Sequence, residues 1–173
     1  MEALKKFMKP GIGLIIVGAI FLLVGIACAI GAFSWPVLFV VGMGGVILFV
    51  GIKSQTDFNN YIRQLTDSGE IDQVLADFNG GRRMLKDSLI LGNTYLIGKK
   101  QGTVVRYSEI RQLYQHITKR NFVESSRKLV YVSADGKVHD LVDLPLRDKA
   151  KDEVIQIMVI VQSKNPNVKL GYN

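Results

Sequence analysis

The sequence predicts an α+β membrane protein, with an N-terminal two-helix transmembrane hairpin at residues 1–53, an amphipathic helical connector at 54–81 and an antiparallel β-domain at 82–173 capped by one α-helix. Three observations predict this class. The 173-residue chain is 48% hydrophobic and only 21% charged, below the roughly 25% charged residues of a typical soluble domain. No Asp, Glu, Lys, Arg or His occurs between Lys9 and Lys53. From Arg82 onward, apolar residues follow the period of β-strands, with turn residues between them.

Two uncharged runs predict the membrane hairpin. The first, residues 11–32, is 22 residues long, and roughly 20 residues cross about 30 Å of hydrocarbon as a helix. The second, residues 37–52, follows a break of four residues that is long enough only for a tight turn. Lys residues at positions 5, 6, 9 and 53 flank the runs and the turn has none, which predicts that both termini are cytoplasmic. A cleaved signal peptide is the competing interpretation, and the second span disfavours it.

Glycines repeat at an interval of seven within each predicted span. Gly18 and Gly25 lie on one face of the first helix, and Gly44 and Gly51 on one face of the second. Small residues let membrane helices approach closely, so the glycines indicate packing within the hairpin or, alternatively, the seam of a homo-oligomer. Neither span has an ionisable group, which disfavours a transporter or pump. The hairpin is therefore interpreted as an anchor in the lipid bilayer.

The connector is predicted as two short amphipathic helices. Apolar residues follow helical spacing at Phe58, Tyr61, Ile62 and Leu65 and again at Ile71, Val74, Leu75 and Phe78. The break between them, residues 66–70, contains Asp67 and Glu70 at the spacing of a capping pair, and Gly80 with Gly81 ends the second helix. Because the polar faces are acidic or neutral, packing on the following domain is favoured over the membrane interface.

The last part of the chain is predicted as strands followed by a helix. Seven strands are expected, at residues 88–91, 94–97, 103–107, 112–118, 122–125, 128–132 and 138–144. A helix at residues 147–162 follows and ends before Asn165 and Pro166. Its expected core face consists of Ala150, Val154, Ile157, Met158 and Val161. This order predicts a strongly bent sheet or partly open barrel, with one end closed by the helix.

The run SLILGNTYLIGKKQGTVVRYSEI, residues 88–110, resembles the first strands of bacterial pleckstrin-homology-like (PH-like) domains, and the similarity in pattern extends from Arg82 to Gln162. Such domains occur, attached to two transmembrane helices, in small bacterial membrane proteins of unassigned function. The resemblance implies a PH-like barrel or sheet of about seven strands at the cytoplasmic face of a bacterial cell membrane. It carries no catalytic motif.

Residues that could support catalysis are sparse. His116 and His139 are the only histidines, and Cys28 is the only cysteine, so the sequence has no cluster with the spacing of a zinc site. It also lacks the P-loop, the dinucleotide-binding fingerprint and the hydrolase nucleophile elbow. The sequence therefore predicts neither an enzyme nor a cofactor.

Basic residues provide the only candidate binding surface outside the membrane spans. From Lys53 onward there are 19 Lys and Arg against 14 Asp and Glu. The excess clusters on or near predicted turns, at Lys99, Lys100, Arg106, Lys119, Arg120, Arg127 and Lys128. In a PH-like fold these residues can share one rim, and each contributes about 1 kcal/mol when it lies near an anionic membrane surface. Contact with anionic lipid headgroups and an ordinary solvated basic surface are both open interpretations. Nucleic acid is disfavoured, because we do not expect the basic residues to be interleaved with exposed aromatics as a stacking platform requires.

The sequence predicts a membrane-anchored, non-catalytic interaction module that binds a protein partner or a second copy of itself. A module that senses anionic lipids is the first alternative. The second is an accessory subunit of a membrane transport or secretion complex, in which the glycine-rich hairpin is the contact surface.

Overall fold

The computed structural model describes residues 1–8, 11–31, 35–99, 102–146 and 150–171. The chain divides into two compact units, one formed by Met1–Met8 together with Ser68–Asn173 and the other by Lys9–Asp67. The described residues form five α-helices and eight β-strands, which confirms the α+β class. The helices are α1 (Glu2–Met8), α2 (Ile12–Gly31), α3 (Trp35–Asp67), α4 (Ile71–Gly80) and α5 (Lys151–Lys164).

The unit Lys9–Asp67 is a pair of packed helices, α2 and α3. Both helices are long and apolar enough to cross a bilayer by length and composition. Their apolar side chains are largely exposed: Leu23 and Phe39 each retain 69% of their accessible surface. An apolar surface of this extent is what a helix pair in hydrocarbon presents.

The second predicted span and the first predicted connector helix are one continuous helix. The expected helix end at residue 52 is wrong, because α3 extends from Trp35 to Asp67 without a break. Residues 53–57 are polar but include neither Gly nor Pro, and the Thr56 hydroxyl donates a hydrogen bond of 3.0 Å to the Ile52 carbonyl within the helix. At 1.5 Å per residue the 33 residues extend about 50 Å. The polar half of α3 buries Phe58, Ile62 and Leu65.

Two short helices belong to the other unit. The predicted second connector helix is present as α4, after a break at Gly69, whose φ is +74°. The predicted capping pair is wrong: Glu70 is the N-cap residue, but its side chain makes no capping bond, because it binds groups of the β-domain. Helix α1, which was not predicted, has seven residues and buries Leu4 and Met8. Its Phe7 ring contacts the Phe78 ring of α4 edge to face, with 5.5 Å between centroids.

The strands form two four-stranded sheets, and the described residues contain no closed barrel. Sheet A is an antiparallel meander in the order β1-β2-β3-β4. Sheet B has the order β7-β6-β5-β8, in which β8 is parallel to β5. The strands are β1 (Arg82–Met84), β2 (Leu89–Leu91), β3 (Tyr95–Gly98), β4 (Thr103–Arg106), β5 (Ile110–Arg120), β6 (Val123–Ser133), β7 (Val138–Leu144) and β8 (Lys169–Leu170).

Most strand boundaries differ from the predictions, and strands β1 and β8 were not predicted. The predicted strands 122–125 and 128–132 are one strand, β6, because the polar residues between them continue to pair with β5, as in Thr118 opposite Ser126. Strand β1 has only three residues, and β8 has two, which is too short for a periodic signal. Helix α5 begins at Lys151 and ends at Lys164; residues 147–149 of the predicted helix lie outside the described residues.

The hydrophobic core lies between the sheets and α5. Fully buried residues include Leu96 of sheet A and Leu129 of sheet B. The predicted core face of α5 is confirmed for Val154, Ile157 and Val161, whereas Met158 and Ala150 are only partly buried against the core. The sheets come close together at Gly98, where a Cβ atom would lie 2.8 Å from the Leu141 carbonyl oxygen.

Candidate functional site

The four glycines singled out in the sequence all lie between α2 and α3. A Cβ atom on Gly18 would lie 2.6 Å from the Leu48 backbone nitrogen, and one on Gly44 would lie 2.9 Å from the Leu22 nitrogen. At Gly25 the nearest atom is Val41 Cγ2 at 2.6 Å, and at Gly51 it is Ile15 Cγ1 at 2.8 Å. No residue with a side chain fits without moving the partner backbone at Gly18 or Gly44. The glycines therefore permit backbone contact within the hairpin.

Other glycines of the same helices have open space around them. A Cβ atom on Gly13, Gly42 or Gly45 would meet nothing within 4 Å. Gly44 and Gly45 are thus neighbours in the sequence with opposite surroundings, which makes them a matched pair for substitution.

Of the six basic candidates that lie within the described residues, three are paired with carboxylates. The Arg106 guanidinium lies 2.7 Å from Glu70, that of Arg127 lies 2.7 Å from Glu124, and the Lys128 ammonium lies 2.7 Å from Asp140. These three cations are neutralised locally by carboxylates that the sequence analysis did not assign to them.

The other described candidates are exposed and lie on both sheets. Lys99 is exposed after β3 in sheet A, and Lys119 and Arg120 are exposed at the end of β5 in sheet B. Lys100 lies outside the described residues. Lys119 and Arg120, which are adjacent in the sequence, both lie at the tip of the β5–β6 hairpin.

A cluster of Glu70, Tyr95 and Arg106 joins the start of α4 to sheet A. The Tyr95 hydroxyl donates to Glu70 Oε2 at 2.7 Å, and the Arg106 Nε–H donates to the Tyr95 oxygen at 3.1 Å. The hydrogen bond from Tyr95 lowers the pKa of Glu70; partial desolvation opposes this shift, and Arg106 reinforces it. Desolvation, followed by the bond to Glu70, raises the pKa of Tyr95. These hydrogen bonds connect the start of α4 to β3 and β4. The ion pair with Glu70 also neutralises the charge of Arg106.

Asp77 is a buried carboxylate that the sequence analysis missed. Only 5% of its surface is exposed, and it accepts backbone hydrogen bonds from Asn93, Thr94 and Tyr95 at 2.8–2.9 Å. Its side chain thereby holds the β2–β3 turn against α4. Gly92 is required beside it, because a Cβ atom there would lie 2.4 Å from the Asp77 carboxyl carbon. The signal available in the sequence was an Asp on the apolar face of a short helix.

Ser133, Asp135 and His139 meet at the β6–β7 turn. Ser133 Oγ lies 3.2 Å from His139 Nε2 and also donates to the Asp135 carboxylate. In a nucleophilic triad the carboxylate binds the histidine and orients it, whereas here Asp135 binds the serine. The His139 ring instead stacks on Tyr131, with 4.8 Å between centroids. This arrangement stabilises the turn and does not prepare serine as a nucleophile; His116 is exposed on β5.

The C-terminal segment after α5 is attached to the sheets. The Asn165 amide donates to the backbone carbonyls of Tyr107 and Ile110, each at 2.8 Å. Val168 is buried, and β8 then pairs with β5 at Gln112 and Leu113. The segment is therefore held against the sheets by hydrogen bonds, burial and strand pairing.

Groups of three or more His, Cys, Asp or Glu positioned to hold a metal ion are not found among the described residues. Comparison with known proteins finds no family model, no curated protein and no solved structure that matches the chain. The PH-like resemblance consequently remains a prediction from the sequence pattern.

Proposed function

We propose that this chain is a membrane-anchored, non-catalytic interaction module. In this proposal α2 and the apolar half of α3 span a bacterial cell membrane as a hairpin, and the unit of Met1–Met8 and Ser68–Asn173 is a PH-like interaction domain at the cytoplasmic face. The order of the chain supports the PH-like interpretation, because antiparallel strands are followed by a single helix that packs on the core.

One observation carries the topology of the proposal. Helix α1 precedes the first apolar helix and α4 follows the second, yet α1 buries Leu4 and Met8 and its Phe7 contacts Phe78. Two segments that pack together must lie on the same side of a membrane. The chain between them therefore crosses twice if it crosses at all, and the basic residues Lys5, Lys6, Lys9 and Lys53 support a cytoplasmic location for both ends.

Thiol accessibility tests this topology. In a Cys28→Ser background, single cysteines introduced by Lys5→Cys and by Asp135→Cys are expected to resist a membrane-impermeant maleimide in intact cells and to react after permeabilisation. Ser34→Cys, between the two apolar runs of the sequence, is the matched control and should react in intact cells. Labelling of either of the first two positions in intact cells would contradict the proposal.

A further inference from the structure

The tip of the β5–β6 hairpin, residues 119–123, is an exposed basic and apolar projection that we call the basic tip. Phe122 at its end is 101% exposed, more than any other large apolar side chain of the described residues, and Val123 is 69% exposed. Strand β7 pairs with β6 only from Arg127 to Val132, and β8 pairs with β5 only at two residues. In the described part of the chain, the last pairs before the tip therefore belong to a two-stranded ribbon.

The backbone of the tip does not favour phenylalanine. Asn121 and Phe122 are the two central residues of the turn, and both have positive φ angles, of 50° and 63°. A two-residue turn of this type normally has Asn followed by Gly, because glycine adopts positive φ without steric strain. Asn121 fits the preference and Phe122 does not. Neither core packing nor turn geometry explains a fully exposed phenylalanine at this position. Its presence therefore indicates a contact with another molecule.

The charge of the tip is available to a ligand. Lys119 and Arg120 are exposed, and neither takes part in the ion pairs found among the described residues. The nearest carboxylate along the ribbon, Glu124, is already bound by Arg127 at 2.7 Å. Two cations and an exposed aromatic ring therefore occupy one convex end of the hairpin.

We propose that the basic tip inserts Phe122 into the headgroup region of an anionic bilayer, where Lys119 and Arg120 bind lipid phosphates. A bilayer interface accepts a convex apolar tip without a preformed pocket, and its diffuse negative charge matches the two cations. This inference rests on the proposed function, because the helical hairpin supplies the bilayer and holds the domain near it.

Tryptophan fluorescence of the full-length protein tests the insertion. The chain has one tryptophan, so Trp35→Phe combined with Phe122→Trp places the only fluorophore at the tip. The protein is reconstituted into vesicles of phosphatidylcholine, alone or mixed with phosphatidylglycerol, with and without brominated phosphatidylcholine. In anionic vesicles we expect a blue-shifted emission that brominated lipid quenches. Salt should reduce the quenching, because charge interactions are screened over about 8 Å at physiological ionic strength.

Two controls identify the contact. Adding Lys119→Gln and Arg120→Gln should reduce quenching to the level in neutral vesicles. The second control combines Trp35→Phe with Val138→Trp. Val138 is also an exposed apolar residue, with 61% of its surface accessible, and it lies beside the turn at the opposite end of β6. Brominated lipid should not quench the tryptophan at this position in either neutral or anionic vesicles. Unchanged melting temperatures verify that the variants are folded.

Three results would overturn the inference. The first is an emission maximum of the tip tryptophan that is not blue-shifted in anionic vesicles. The second is equal quenching in neutral and anionic vesicles. The third is a blue shift that depends on protein density and not on brominated lipid, which would identify a protein contact. Alkaline extraction separates these failures from that of the proposed function: release of the protein from the vesicles contradicts the anchor, whereas retention with a solvated tip contradicts only the insertion.

Discussion

The two compact units of this chain use apolar residues in opposite ways. In Lys9–Asp67 large apolar side chains such as Leu23 and Phe39 face outward, and glycines occupy the interface between α2 and α3. In the other unit, side chains such as Leu129 and Ile157 form the core. In water, apolar burial drives folding. In a lipid environment, which we propose for α2 and the apolar half of α3, that driving force is absent and helices associate through close backbone packing. The two interiors therefore differ in which residues fill them: glycines lie at the interface of α2 and α3, and large apolar side chains fill the core of the β-domain.

The largest effect is expected where the β-domain relies on a buried polar group. Asp77→Ala removes the acceptor for three backbone N–H groups, and each buried donor left without a partner costs about 1–3 kcal/mol. We expect the domain to lose about 3 kcal/mol of its unfolding free energy, measured by urea denaturation of the full-length protein in detergent. Asp72→Ala, at an exposed site of the same helix, is the control and should change stability by less than about 0.5 kcal/mol. Equal stability of the two variants would show that Asp77 is dispensable.

A smaller effect is expected from filling the glycine interface. Gly44→Leu places a side chain against the Leu22 backbone, and overpacking of this kind costs about 1–3 kcal/mol. We expect faster proteolysis between α2 and α3 in detergent, with no change in the unfolding of the β-domain. Gly45→Leu, which enters open space, should leave the proteolysis rate unaltered. If Gly45→Leu were cleaved faster than Gly44→Leu, α3 would pack on α2 through the face that contains Gly45.

The smallest effect concerns the Glu70 cluster and depends on pH. Because Tyr95 and then Arg106 lower the pKa of Glu70 in the folded protein, this carboxylate contributes stability above its unfolded pKa and loses that contribution as pH falls through the folded value. The melting temperature of Glu70→Gln should therefore lie below that of the parent at neutral pH, and the difference should shrink in acid. Asp72→Asn, at an exposed site of α4, is the control and should leave the melting temperature at neutral pH unchanged. If the difference in melting temperature between the parent and Glu70→Gln grew in acid, the lowered pKa of Glu70 would be contradicted.

Several features of the β-domain were predictable because they depend on residues close together in the chain. Strand β7 at Val138–Leu144 follows a Gly-containing turn, and Gly136 there has a φ of +82°. The buried positions of α5 repeat at helical spacing. By contrast, the basic surface was predicted as a group, although Arg106, Arg127 and Lys128 are paired with carboxylates. Of these carboxylates, Glu70 lies 36 residues before Arg106 in the sequence, and spacing along the chain does not reveal such a pair.

The sequence by itself determined the two uncharged helices, the glycine positions and the order of strands before the last helix, because hydropathy and turn preferences act locally. Only the tertiary structure decided that α3 continues through its polar half, that α1 packs beside α4, and that Asp77 and Asn165 bind distant backbone groups. It also isolated Lys119, Arg120 and Phe122 at one exposed tip. These features arise from burial and hydrogen bonding between residues far apart in the chain, and a helix of seven residues or a strand of two is stable only through such contacts.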